Sequence, residues 1–246
     1  MDNDCLLCIF QHLTISTIYP ILSVCKQFNA IVNSNMIWKQ LFADKFDQIV
    51  IHTDYKSKYK QFNDLDKFLI FNKTKSIKVN DIYNSQEIYF GYCGLQSLPP
   101  EIGLLINLRT LDFHANQLQS LPSEIGLLTK LHTLTIYGNN LKSLPSEIGL
   151  LTNLHDLSLA YNELKSLSTE IKQLTNLQGL YVGYNLLESF PNEICLLTNL
   201  RQIMMGGNKL KSLPSEISLL TNLKYLTLNY DLLKFVPDDL KYAFAN

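Results

Sequence analysis

Near-identical blocks open at Asn107, Lys130, Asn153, Asn176, Asn199 and Asn222, each 23 residues after the last, and a degenerate block precedes them at Asn84. A fixed period of this length constrains the chain more than any other feature, because every unit must offer its neighbours the same two faces. From Asn153 the chain reads NLHDLSLAYNELKSLSTEIKQLT, so its apolar skeleton is L-x-x-L-x-L-x-x-N-x-L. The alternation between Leu154 and Asn162 predicts a short strand, with Leu157 and Leu159 pointing inward and Asp156 and Ser158 outward. One block alone buries too little apolar surface to offset the entropy of ordering its backbone. Stacked blocks cover each other's open faces and add a parallel ladder of backbone hydrogen bonds, which predicts a solenoid.

Asn116, Asn139, Asn162, Asn185 and Asn208 end the strands, where buried amides are expected to bond the backbone of the departing loops. Cys93 holds that place in the first block and Asp231 in the last, which predicts a distorted terminal repeat. Pro99, Pro122, Pro145, Pro191, Pro214 and Pro237 end the inward turn, with Ser168 in the block that lacks the proline. Glu101, Glu124, Glu147, Glu170, Glu193 and Glu216 follow at a fixed offset. In the first turn of a short helical segment such carboxylates complement its dipole, so they read as structural rather than as an acidic site.

This skeleton is the leucine-rich repeat signature, and LPSEIGLLTNL resembles the Ras-group class of such repeats. The resemblance covers Asn84 to about Leu240. It implies an α/β fold in which parallel strands line the concave face and short helices or turns the convex one, with seven repeats within residues 84–246 starting near 84, 107, 130, 153, 176, 199 and 222.

The variable positions of the expected concave face are rich in tyrosine: Tyr89, Tyr92, Tyr137, Tyr161, Tyr181, Tyr184, Tyr225 and Tyr230. Tyrosine joins a rigid apolar body to a hydrogen-bonding tip and is enriched where proteins bind proteins. The accompanying charges are Glu87, Asp112 and Asp156, with His114 nearby, so the surface suits a neutral, partly apolar protein target. The alternative is a tyrosine ladder that only stabilises the sheet. Lys142, Lys165, Lys211 and Lys234 recur at the same period and read as a solvated edge.

Ahead of the repeats the periodicity becomes helical: Leu6, Leu7, Ile9, Phe10 and Leu13, then Ile18, Ile21, Leu22, Cys25 and Phe28, then MIWKQLF from Met36. The spacing of DCLLCIFQHL, SVCKQFNAIV and MIWKQLF over residues 1–42 resembles the F-box, a small all-α module that docks onto the Skp adaptor of cullin-based ubiquitin ligases. That resemblance implies an adaptor contact through Leu6, Ile9, Phe10, Leu13, Val24, Phe28 and Trp38. It departs from the family at Met1-Asp2, where members usually carry Leu-Pro. Residues 43–83, with DYKSKYKQF, read as a helical linker like those that follow F-boxes.

A formal net charge of -1 and a pI near 6.5 give no field for nucleic acid, and no apolar run is long enough to span a membrane. The acidic opening MDND and five irregularly placed cysteines fit a reduced, cytoplasmic setting. Cys5 and Cys8 form a C-x-x-C without the partners that zinc or redox chemistry needs, and the Asn72-Lys73-Thr74 sequon has no secretory context. No catalytic, cofactor-binding or metal-ligating constellation is present in the sequence. The resemblances together imply a monomeric substrate-recognition subunit of a ubiquitin ligase, with Skp adaptor, cullin ligase and an unidentified target protein as partners. Two other readings are a repeat scaffold for a small GTPase or phosphatase, its first helices serving as a cap, and a decoy that sequesters the adaptor. The asparagine-, isoleucine- and tyrosine-rich style is similar to proteins of amoebae and their giant viruses.

Overall fold

The computed structural model describes residues 85–229 together with Leu232 and Val236. The F-box-like segment, the linker, Asn84, Tyr230, Asp231, Lys234 and Pro237 lie outside the described residues.

Seven parallel strands pair in chain order: β1 (Glu87–Tyr89), β2 (Thr110–Asp112), β3 (Thr133–Thr135), β4 (Asp156–Ser158), β5 (Gly179–Tyr181), β6 (Gln202–Met204) and β7 (Tyr225–Thr227). The register places Ile88, Leu111, Leu134, Leu157, Leu180, Ile203 and Leu226 side by side, so one sequence period becomes one lateral step of the sheet. Each of these side chains is buried, a contribution of about 1.5–3 kcal/mol apiece. The second inward column, Phe90, Phe113, Ile136, Leu159, Val182 and Met205, is buried as well, and Phe90 stacks on Phe113 at 5.5 Å. The outward residues of the strands stay exposed or half-buried, apart from Gly179.

The far side of each repeat is a five-residue 3-10 helix: η1 (Pro100–Leu104), η2 (Ser123–Leu127), η3 (Ser146–Leu150), η4 (Thr169–Gln173), η5 (Asn192–Leu196) and η6 (Ser215–Leu219). Ile102, Ile125, Ile148, Ile171, Ile194 and Ile217 anchor these helices in the core. A proline occupies the N-cap position of five of them and offers no side-chain cap. In η4 the N-cap is Ser168, whose hydroxyl accepts from the Glu170 amide, so the block without proline gains a bonded cap in its place. The glutamates sit in the first turns as expected, and Glu124, Glu147 and Glu216 accept from the serine hydroxyls preceding them at 3.1, 3.0 and 3.0 Å. Glycine at 103, 126 and 149 lets successive helices close up: an added β-carbon would meet the carbonyl oxygens of Glu124, Glu147 and Glu170 at 2.9, 2.7 and 2.7 Å.

The strand-ending asparagines join the repeats from inside. Asn162 donates to the carbonyls of Ile136 at 2.9 Å and Leu159 at 3.0 Å, and accepts from the Leu141 amide at 2.9 Å. Asn116, Asn139, Asn185 and Asn208 repeat the pattern, each bonding its own repeat and the preceding one. The Cys93 thiol, in the equivalent place, donates to the Gly91 carbonyl, and the Cys93 amide donates to Asn116 Oδ1 at 3.1 Å. A second, exposed ladder runs through the block-opening asparagines, where Asn153, Asn176, Asn199 and Asn222 donate to the carbonyls of Thr129, Thr152, Thr175 and Thr198.

Candidate functional site

Ten of the eleven tyrosine, acidic and histidine positions expected to bind a target fall within the described residues, and they gather into two patches with Tyr225 apart. At the first repeats Tyr89 donates to the Glu87 carboxylate at 3.0 Å, which raises the phenol's pKa above its ordinary value. Asp112 accepts from the His114 backbone amide and contacts its Nδ1 at 2.9 Å, and Tyr92 meets the same imidazole edge-on at 4.9 Å. Gly91 leaves room for that ring, because a β-carbon there would overlap it. Tyr89 and Tyr92 remain 63% and 82% exposed, so this patch is polar, preformed and open.

The second patch grows from one backbone position. Tyr92, Ala115, Gly138, Tyr161, Tyr184 and Gly207 stand one period apart just ahead of the strand-ending cysteine or asparagines, and all have positive φ, between 53° and 74°. An L-residue held in this left-handed region costs about 1–2 kcal/mol relative to the ordinary one, and glycine escapes that cost. Two repeats use glycine there and three use tyrosine. The conformation is fixed from outside, since the amides of Tyr161 and Tyr184 donate to the carbonyls of Gly183 and Gly206 at 2.9 and 2.8 Å. It sets the rings in a row across the repeats. Tyr137 meets Tyr161 edge-on at 5.2 Å, and Tyr161 stacks on Tyr184 at 4.3 Å with 16° between planes. Tyr184 in turn covers Gly207.

Beside this row lies an open groove of about 550 Å³. Its floor is the column Ala160, Gly183 and Gly206, the same repeat position that carries His114 and Tyr137 earlier in the chain. Tyr161 and Tyr184 form one wall, and Tyr181 and Met204 rise from β5 and β6 on the other. Tyr181 is half-buried: it crosses Gly179, where a β-carbon would strike its ring at 2.9 Å, and donates to Gln202 Oε1 at 3.1 Å. Burial raises the Tyr181 pKa, with the Asp156 charge adding to it. Asp156 is half-buried in the same place, and desolvation raises its carboxyl above the usual value against the opposing pull of His155. Asn229 closes the far end, accepting from the Gly207 amide and donating to the Asn208 carbonyl, each at 2.7 Å.

The ladder is present, and it does not bury the rings. Tyr137, Tyr161 and Tyr184 are a ladder, and they are also 41%, 47% and 58% exposed along the wall of a groove. The small residues of the floor, Met204 and Asn229 were not singled out by the sequence reading. Their signal was present in the repeat alignment, as a column that turns from bulky to small at Ala160. The lysine column stays on the surface, with Lys142, Lys165 and Lys211 exposed.

Burial pushes the Cys195 thiol up to about 11, which makes it an unreactive packing group. Among the described residues no cluster of three or more His, Cys, Asp or Glu could hold a metal ion, and no helix is long and apolar enough to cross a membrane.

The family models match this arrangement. A leucine-rich repeat region matches residues 65–186, and an F-box-like model matches residues 3–44. No curated protein matches the chain. Among solved structures, a leucine-rich repeat protein of Leptospira interrogans is 32% identical, with a TM-score of 0.58 over 73% of this chain and 53% of that one. This chain thus spans about half the length of that relative. The PEPR1-AtPEP1 structure is 25% identical, with a TM-score of 0.55 over 61% of this chain and 22% of that chain. F-box and leucine-rich repeat modules are characteristically non-catalytic interaction modules. By its repeats and by these matches, the chain is a leucine-rich repeat protein with an F-box-like region ahead of the solenoid.

Proposed function

We propose that this protein is a substrate-recognition subunit of a Skp- and cullin-based ubiquitin ligase, its strand face holding the target protein. The observation that carries the reading is the exposed tyrosine row, in which Tyr161 and Tyr184 occupy backbone positions where glycine would be free of strain, as Tyr92 does in the first patch. Strain kept at a surface fits a recognition role, since a ladder alone could be built from unstrained positions. The F-box-like match at residues 3–44 supports the other half of the reading, with Leu6, Ile9, Phe10, Leu13, Val24, Phe28 and Trp38 as the adaptor contact. Residues 1–42, 43–83 and 84–246 would then act as docking module, spacer and target-binding domain within the cytoplasm.

The mechanism is positional. Bound to the adaptor at one end and to a target at the other, the chain raises the effective concentration of activated ubiquitin at the target's lysines, and no residue of its own performs chemistry.

The test is calorimetry of the full chain with a Skp-type adaptor, beside a Phe10→Ala, Trp38→Ala variant whose folding is checked by circular dichroism. Micromolar or tighter binding that the folded variant loses supports the ligase role. Absence of binding overturns it in favour of a repeat scaffold with an N-terminal cap.

A further inference from the structure

The groove beside the tyrosine row has a composition of its own. Its floor of Ala160, Gly183 and Gly206 lets a ligand backbone come close, and its walls are tyrosine and methionine. None of its lining residues is an aspartate, glutamate, lysine or arginine. A charged side chain pressed into it would lose water and find no opposite charge. The strands that carry it are spaced about 4.8 Å apart, so from the column of Tyr137 to that of Asn229 the groove runs roughly 19 Å, the length of about five or six extended residues.

Asp156 lies behind the Tyr181 wall, where its carboxyl is partly desolvated, and the cations stand further along the sheet. Arg201 and Lys224, one repeat apart and both exposed, stand immediately before β6 and β7, roughly 10 Å of strand from the outward residues Met204 and Thr227. Among the described residues the one ion pair is His114–Asp112, so neither cation meets a carboxylate there.

We propose that this groove holds an extended peptide segment of the target, apolar and uncharged over about five residues and flanked by an acidic residue that pairs with Arg201 and Lys224. The proposal rests on the reading of the strand face as the target-binding surface and names the chemistry of what it takes. The neutral lining selects the centre of the segment, and the two cations fix its direction along the sheet.

Gly206 offers a clean probe. A β-carbon there meets only the Leu228 carbonyl, at 3.8 Å, whereas one at Gly183 or Gly207 would come within 3.0 or 2.7 Å of a neighbour, so Gly206 is the position of the three where a side chain can be started. A phage library of random dodecapeptides is panned on the full chain, and enriched peptides are measured against Gly206→Phe, Arg201→Glu with Lys224→Glu, and Tyr89→Ala with Asp112→Ala, each checked by circular dichroism. The expected result is a five-residue apolar run beside Asp or Glu. Its affinity should fall at least tenfold in Gly206→Phe and about fivefold on charge reversal, and should be unchanged by the Tyr89 and Asp112 substitutions. No enrichment, or enriched peptides that bind Gly206→Phe as tightly as the unaltered chain, overturns the groove proposal. If binding is lost instead with Tyr89 and Asp112, the strand face still recognises peptides and only the groove assignment fails. Binding insensitive to all three variants removes both.

Discussion

Tyr184 lies over Gly207, its neighbour one repeat on, so closely that a β-carbon at Gly207 would sit 2.7 Å from Cδ1 of the ring. Gly207 also has φ of +74°, so two independent constraints meet at one residue. Gly207→Ala should cost about 1–2 kcal/mol from the left-handed backbone alone, and more from the displaced ring. Gly206→Ala, next to it in sequence but meeting nothing nearer than the Leu228 carbonyl at 3.8 Å, should stay within about 0.5 kcal/mol of the unaltered chain. Urea midpoints of the two variants check the contrast, and near-ultraviolet circular dichroism should report loss of the Tyr161–Tyr184 stack only in Gly207→Ala.

The asparagine ladders differ in depth. Asn162→Ala orphans the Leu141 amide in the core, while the carbonyls of Ile136 and Leu159 lose one donor each and keep Asn139 and Asn185, at a cost of about 1–3 kcal/mol. Asn153→Ala removes one exposed bond to the Thr129 carbonyl and should cost under about 1 kcal/mol. Equal destabilisation in chemical denaturation would contradict the assignment of the inner ladder as the joint between repeats.

Asp156 carries a pH signature. Desolvation raises its carboxyl above the ordinary value of 3.8, so the folded state binds its proton more tightly than the unfolded chain does. The ionised group therefore opposes folding at neutral pH, and that penalty is relieved as pH falls through the raised folded value. Asp156→Asn should raise the melting temperature slightly at pH 7, with the gain disappearing below about pH 3.8, where the carboxyl is protonated in both states. A gain that persisted in acid would point to a cause other than ionisation.

The sheet was legible in the sequence because a period-2 alternation within a 23-residue repeat fixes both the strand faces and their register, and Leu111, Leu134 and Leu157 pair as that arithmetic requires. The inner role of Asn162 was legible for the same reason, since an amide recurring inside an apolar skeleton must find backbone partners. The outer ladder of Asn153 was not, because an exposed amide gives no burial signal. The groove was half legible. Tyr161 and Tyr184 announced a surface, but Gly179, Gly183 and Gly207 matter through the neighbouring atoms that occupy or border the space they leave. Nothing at a glycine's own position says which neighbour that is. The convex segments were read as short helices or turns, and five residues entered through an extended proline give a 3-10 turn.

The central claim is that two separate surfaces serve two partners, and one affinity-purification experiment tests it. The full chain, a Tyr161→Gly, Tyr184→Gly variant and a Phe10→Ala, Trp38→Ala variant are recovered from the same cells, and co-purifying proteins are quantified by mass spectrometry. Glycine at 161 and 184 keeps the backbone that Gly138 and Gly207 already show, so the tyrosine variant should remain folded. The account predicts that it loses its target proteins at least tenfold and keeps the Skp adaptor, while the F-box-like variant does the reverse. Full retention of every partner by the folded tyrosine variant would contradict it and leave the row a purely structural ladder.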